Sequence, residues 1–275
     1  MTTAMGTAPL DRPPVRSRVS PVTAFRQGLI LAWRNLVKLK ISPAQIFVAA
    51  IQPMVLTLLF VFMFGGAIQG NRHDYLQFVL PGIIVQSMTL LTASVGTGLA
   101  TDLNTGIFDR FRSMPIGRSA PLVGAILGDL VRHVISFVLV LGFGMALGFR
   151  ITTDPLSTLA ALALIMVFSF AMCWVSVVLG LLLKTPEAMS SIGIFALLPL
   201  TFGNNTLVAT DTLPGWLQAW VKINPVTHTT DAVRALLAPK GAESAASPAI
   251  YTLLASAAIL VVVVPIALRL FLRRK

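Results

Sequence analysis

The sequence predicts an all-α integral membrane protein: six transmembrane helices, an N-terminal interfacial helix, and short outer helices between spans five and six. Three observations carry that expectation. Of 275 residues, 56% are hydrophobic and only 11% charged, against about 45–50% and about 25% in a soluble domain. The apolar residues fall in long runs, several of about 18 or more, the length a helix needs to cross hydrocarbon. The alternation of polar and apolar residues that marks a transmembrane barrel strand is missing from them.

Residues 1–20 hold prolines and arginines but no apolar segment, so they are expected to form a disordered cytoplasmic tail and not a secretory signal. Residues 21–41 place Val22, Phe25, Leu29, Ala32, Trp33, Leu36 and Leu39 at helical spacing. Arg26, Gln27, Arg34 and Lys38 fill the other turns, the pattern of an amphipathic helix lying in the cytoplasmic interface. A solvated helix on a soluble partner is the alternative. Residues 42–275 form the six-span domain, with spans expected at Ile46–Ile68, Leu76–Ala100, Ala120–Phe149, Leu156–Leu183, Ala188–Phe202 and Ala249–Leu268. The third exceeds what a bilayer requires; the fifth is short and ends near Pro199 and Gly203. Between spans five and six, Trp216, Leu217, Trp220 and Val221 lie at helical spacing after Pro214, a residue suited to a first helical turn. Asn224-Pro225 stops that helix, and a second follows over Thr227–Ala238, ended by Pro239 and Gly241. Both helices are expected to lie at the outer membrane face.

The net charge of +11 invites a nucleic-acid reading, but its distribution argues against one. Seven Lys and Arg precede the first span, Arg110, Arg112 and Arg118 follow the second, Lys184 follows the fourth, and Arg269, Arg273, Arg274 and Lys275 close the chain. These fifteen share one side, whereas only Arg72, Arg150, Lys222, Arg234 and Lys240 fall on the other. The positive-inside rule then places both termini in the cytoplasm of a multi-pass plasma-membrane protein. No Gly-Lys dipeptide occurs, so the chain has no P-loop to cradle nucleotide phosphates. Neither HExxH nor CxxC spacing occurs; His73, His133 and His228 are far apart, and the single Cys173 is expected to pack as a small apolar side chain. No metal or cofactor is therefore expected on this chain.

The loop Asp102–Arg118 reads DLNTGIFDRFRSMPIGR. Asp102, Asn104 or Thr105 suits the cap of a short helix whose apolar face is Ile107, Phe108, Phe111 and Met114, with Asp109, Arg110, Arg112 and Ser113 polar and Pro115 closing it. An interfacial loop is the plain alternative. This loop resembles the segment joining the second and third spans of ABC-2 type permeases, particularly the daunorubicin/doxorubicin exporter group. The match runs through Gly106, Asp109, Arg110, Phe111, Arg112, Ser113, Met114 and Pro115. Leu80-Pro81-Gly82, Leu213-Pro214-Gly215-Trp216-Leu217, Asn224-Pro225-Val226 and Ala232-Val233-Arg234 follow the family's order and spacing. The resemblance covers the chain from Pro21 onward. It departs at Asn204-Asn205, which bears on substrate choice, and at Asn104, where many relatives carry an acid.

The resemblance implies a permease subunit that pairs with a second permease, identical or not, and with cytoplasmic ATPase subunits that hold ATP and magnesium. The segment Gly106, Ile107, Phe108, Asp109, Arg110, Phe111, Arg112, Ser113, Met114 and Pro115 would seat in an ATPase cleft. The other family positions, Pro214, Trp216, Asn224, Pro225 and Arg234, belong to the outer helices. A path lined by Leu, Val, Ala, Met and Phe suits hydrophobic drug-like or lipid cargo. An exporter of lipid-linked polysaccharide is an alternative within the same architecture, which the 8% aromatic content disfavours.

Asp129, Arg132 and His133 share one helix face, as do Asp231 and Arg234. Ionisable groups in spans are functional candidates, so a proton-coupled carrier built on Asp129 and Arg132 stands beside a structural pair. His228 near Asp231 raises an intramembrane hydrolase, but no nucleophile accompanies it. Pro53, Pro81, Pro199 and Pro265 are expected to bend their spans, and Gly82, Gly96, Gly98, Gly142, Gly144 and Gly148 to mark helix packing faces.

Overall fold

The computed structural model describes residues 43–106, 120–238 and 244–273. The expected tail, the interfacial helix and the loop from Ile107 to Arg118 lie outside the described residues. Every long element among the described residues is helical: α1 (Pro43–Gln69), α2 (Arg72–Leu91), α3 (Ala93–Asn104), α4 (Ala120–Ala146), α5 (Pro155–Leu183), α6 (Pro186–Phe202), α7 (Gly215–Ile223), α8 (Pro225–Leu237) and α9 (Ala246–Arg273). Five segments are long and apolar enough to cross a membrane: Ala49–Ile68, Arg72–Asn104, Leu122–Ala146, Pro155–Leu183 and Ala246–Phe271. The sixth apolar helix, α6, falls in a shorter class. It carries a π-helical turn over Met189–Gly193 and Pro199 within its last nine residues.

Local chemistry sets the boundaries that hydropathy placed differently. α2 begins at Arg72, not Leu76, because Asn71 caps it: its Oδ1 accepts from the Asp74 N–H at 2.7 Å and its Nδ2 donates to the Asp74 carboxylate at 2.6 Å. α4 ends at Ala146, short of Phe149, in a Schellman turn. The Gly148 N–H reaches the Met145 carbonyl at 3.1 Å and the Phe149 N–H reaches Gly144 at 2.9 Å, with Gly148 at φ 108°. α6 starts two residues earlier than expected, at Pro186, where Thr185 Oγ1 accepts from the Ala188 N–H.

α2 lies at the centre. Tyr75, Leu76, Val79, Leu80, Ile83 and Ile84 are fully enclosed by α1, α4, α5 and α8. Its Leu80 fills the space that Gly144 leaves on α4. The expected packing role of glycine holds at Gly82, Gly96 and Gly144; Gly98 and Gly142 face open space, and Gly148 serves the turn. The outward sides of α1 (Ile51, Val55, Phe62, Met63) and α9 (Leu254, Val261, Val262) are exposed and apolar over several turns. Such continuous apolar surface belongs in lipid, so the chain is a multi-pass membrane protein. Pro53 deprives the Ala49 carbonyl of its helical donor, and Ser136 Oγ from α4 approaches it at 3.4 Å.

One expectation is corrected. Of the two short helices after α6, only α7 lies on the surface, with Trp216 and Ile223 about three-quarters exposed. α8 enters the bundle and packs against α2, α5 and α9, burying Val226, Thr229, Thr230, Val233 and Leu237. Its run of threonines reads as polar in sequence. Inside the bundle at least one of these hydroxyls turns back on its own helix, Thr229 Oγ1 donating to the Pro225 carbonyl at 2.8 Å.

Candidate functional site

Three groups of chemistry-bearing residues stand out. The first is the expected coupling segment. Gly106 closes α3 at φ 69°, after Thr105 has turned its N–H and hydroxyl back to the Thr101 carbonyl, both at 3.0 Å. Ile107, Phe108, Asp109, Arg110, Phe111, Arg112, Ser113, Met114 and Pro115 lie outside the described residues. Asp102 and Asn104 lie in the last turn of α3. What the structure does define is the pair of stems that carry the segment. Val95 and Leu99 of α3, Leu122 and Ile126 of α4, Trp174, Val177 and Leu181 of α5 and Ala267 of α9 form one buried apolar cluster. The two stems are thus packed into one body with two further helices.

The second group joins α6, α7 and α8. Asn224 is 2% exposed and does two jobs. Its Oδ1 accepts from the Val226 N–H at 2.9 Å and starts α8, while its Nδ2 donates to the carbonyls of Leu200 at 2.8 Å and Gly203 at 2.7 Å and closes α6. Pro225 occupies the first position of α8, where its missing N–H costs nothing. Pro214 precedes α7 as its cap residue, and Trp220 Nε1 reaches the Pro199 carbonyl at 3.3 Å. Arg234, 7% exposed, reaches three elements. Its Nη1 meets Asp231 at 2.9 Å, its Nε the Phe78 carbonyl of α2 at 3.1 Å, and its Nη2 the Asn205 carbonyl at 3.3 Å. The guanidinium also lies 4.0 Å from the Phe78 ring centroid.

Asn205 Nδ2 donates to Asp231 at 2.7 Å, and Asn204 Nδ2 donates to the Thr201 carbonyl at 2.6 Å; both asparagines are buried. The Asn204-Asn205 pair therefore builds the turn after α6. His228 contacts the Lys222 carbonyl at 2.9 Å and stacks on Tyr251, while Asp231 is held by Arg234 and Asn205. That arrangement leaves no His–Asp pair for a hydrolase.

Replacing Asn224 with Ala removes three hydrogen bonds and strands two buried carbonyls, a loss of about 2–4 kcal/mol. The expected result is a thermal midpoint several degrees lower in detergent and protease cleavage in the link between α6 and α7. Asn224→Asp keeps the cap acceptor but turns a carboxylate oxygen toward the Leu200 and Gly203 carbonyls, acceptor against acceptor, and should cost at least as much as Ala.

The third group sits where α4 crosses α2 and α3. Arg132 pairs with Asp129 and also donates to Ser94 Oγ of α3; Ser94 Oγ lies 3.3 Å from Asp129 Oδ1. His133, fully buried, has Nδ1 3.0 Å from the Asp129 carbonyl and Nε2 3.1 Å from the Met88 carbonyl of α2. Asp129 Oδ2 and Arg132 Nε are buried without a hydrogen bond. Spacing made the Asp129–Arg132–His133 face legible. It could not show Ser94, Met88 or Cys173, which come from α3, α2 and α5. Donor atoms of Asp129, His133 and Cys173 all lie within 4.8 Å of one another. A divalent cation there would face the Arg132 guanidinium on the same carboxylate and would have to displace it.

The ABC-2 type transporter family model matches residues 26–238. The chain is 37% identical over 220 residues to the daunorubicin resistance ABC transporter permease protein DrrB1 of Streptomyces coeruleorubidus, a match covering 80% of this chain and 78% of that one. It is 25% identical to the doxorubicin resistance ABC transporter permease protein DrrB of Mycobacterium tuberculosis, over 62% of this chain and 60% of the relative. To the inner membrane transport permease YadH of Escherichia coli it is 23% identical, over 69% and 76%. A family model spanning this much of the helical domain, with a relative this similar over four-fifths of the chain, identifies the molecule: it belongs to the ABC-2 type transporter family.

Proposed function

We propose that the chain is the membrane-spanning permease subunit of an exporter that moves hydrophobic drug-like or lipid molecules out of the cell. ATP is hydrolysed, with magnesium, on a separate cytoplasmic ATPase subunit, and a second permease subunit completes the pathway. The observation that carries the reading is the 37% identity with a daunorubicin resistance permease over 80% of the chain. The apolar bundle described above supports it.

In this reading the domain has six spans in the plasma membrane, with both termini in the cytoplasm. The end that carries Asn104, Ala120, Leu183 and Arg273 faces the cytoplasm, in keeping with its surplus of basic residues. α6 spans about 26 Å at 1.5 Å per residue, slightly less than the hydrocarbon thickness. Its opposite end is completed by α7 and α8, α7 bringing Trp216 and Trp220 to the outer interface, where aromatic residues concentrate. The segment Gly106–Pro115 docks on the ATPase.

The buried Asp129–Arg132–His133 group favours one competing reading, a carrier driven by protons. Reconstitution separates the two. Vesicles holding the permease with its ATPase should accumulate fluorescent doxorubicin when given ATP and magnesium, and should not when given only a proton gradient. Uptake by the chain without an ATPase, driven by the gradient, would overturn the proposal.

A further inference from the structure

The span Arg72–Asn104 is not a uniform helix: it tightens in its middle. The Thr92 N–H reaches the Thr89 carbonyl at 3.3 Å and the Val95 N–H reaches Thr92 at 3.1 Å, both one residue short of α-helical spacing. A tightened turn leaves carbonyls without their regular donors, and inside a membrane each must find another. Side chains supply them. Met88, whose regular partner would be the Thr92 N–H, meets His133 Nε2 at 3.1 Å. The Leu91 carbonyl accepts from Ser94 Oγ at 2.7 Å, and Thr89 accepts from Thr92 Oγ1 at 2.7 Å. Thr92 Oγ1 in turn accepts from Ser176 Oγ of α5 at 3.2 Å. Arg132, paired with Asp129, donates to Ser94 Oγ and so grips the first turn of α3.

We infer that the Thr92 turn is an articulation between α2 and α3, and that Asp129, Arg132, His133 and Ser176 are positioning residues that latch it from α4 and α5. The inference rests on the transport reading above, since it concerns how force reaches the bundle. α3 carries the segment that would meet the ATPase, so a push there arrives first at this turn. With the latch closed, α3, α4 and α5 move together. Without it, the Thr92 turn flexes and part of the displacement is absorbed there before it reaches α2. The buried Asp129 Oδ2 and Arg132 Nε, which make no hydrogen bond here, are the acceptor and donor that a second arrangement of the latch would use.

The test uses the full permease–ATPase complex in vesicles, with doxorubicin uptake per ATP hydrolysed as the readout. His133→Ala and Ser94→Ala should each lower that ratio about fivefold. His133→Gln, which keeps an amide donor near the Nε2 position, and Ser94→Thr, which keeps the hydroxyl, should restore most of it. Amide exchange over residues 88–96 should rise in the two Ala variants and not elsewhere. A purely structural role would lower yield or melting temperature without moving the ratio in the protein that does assemble. Ser176→Ala, a single hydroxyl lost at the edge of the network, keeps the test available if His133→Ala fails to assemble. An unchanged ratio with unchanged exchange sinks the latch alone. A wild-type complex that hydrolyses ATP and moves no doxorubicin sinks the transport reading, and the latch with it.

Discussion

Gly180→Leu should abolish assembly of the bundle, and Gly180→Ala should lower its melting temperature by about 5–10 °C, an overpacking cost of about 2 kcal/mol or more. At this crossing two main chains touch. A Cβ on Gly180 of α5 would stand 2.5 Å from the Gly96 carbonyl oxygen and 3.0 Å from its Cα. A Cβ on Gly96 of α3 would stand 2.5 Å from the Ser176 carbonyl oxygen and 2.5 Å from Met189 Cε. Backbone cannot rotate away as a side chain can, so the helices must part by about 1 Å to restore ordinary van der Waals separation. That parting reaches further than the local clash. Met189 begins the π turn of α6 and is fully buried against Gly96 and Gly193, so α3, α5 and α6 meet at one point. The controls lie on α3 and α4. Nothing lies within 4 Å of a Cβ on Gly98 or Gly142, and Ala there should be neutral or stabilise by up to about 1 kcal/mol through helix propensity. Thermal unfolding of Gly180→Ala beside Gly98→Ala decides it, and equal melting temperatures would show that the close crossing is not what holds α3 to α5.

How much of this was legible in the sequence follows from which interactions are local. Long apolar runs announced the five long helices, because lipid as solvent leaves hydropathy little to compete with. The ends of α2 and α4 were missed by a few residues, since caps such as Asn71–Asp74 and the Gly148 turn are polar and weigh against a span when averaged. The fate of α8 was invisible. The stretch Thr227–Ala238 was expected as a short helix at the outer face, and only the neighbours α2, α5 and α9 show that Val226, Thr230, Val233 and Leu237 are buried. The third group was half legible. Asp129, Arg132 and His133 repeat at helical spacing, but their partners Ser94 and Met88 are 35 and 45 residues away and belong to a turn whose tightening no propensity announces. Asn224 was legible as a helix stop and Arg234 as a partner of Asp231, and the resemblance singled out both; their hydrogen bonds to Leu200, Gly203 and Phe78 reach elements that no local spacing shows.

Phe111→Asp is expected to leave the chain inserted and folded but to eliminate ATP-driven transport, and Arg110→Glu to weaken it strongly. If Phe111 is the apolar anchor of the segment on the ATPase, its removal costs about 2 kcal/mol or more of docking energy, roughly a thirtyfold loss of affinity. A carboxylate in its place adds an unpaired charge to a desolvated pocket. The stems make the consequence specific. Leu99 of α3 and Leu122 of α4 are fixed in one apolar cluster with Trp174 and Leu181, so whatever grips the segment between the stems grips four helices at once. Losing the grip therefore disconnects the motor without loosening the bundle. Three measurements on one preparation separate the effects: melting temperature for folding, co-purification of the ATPase for docking, and doxorubicin uptake on addition of ATP for coupling. The expected pattern for Phe111→Asp is an unchanged first, a lost second and a lost third. For Arg110→Glu, restoration by a matching acidic-to-basic change on the ATPase would identify the pair. Full ATP-dependent uptake by Phe111→Asp would mean that force enters the permease elsewhere, and the articulation at Thr92 would then have no lever to resist.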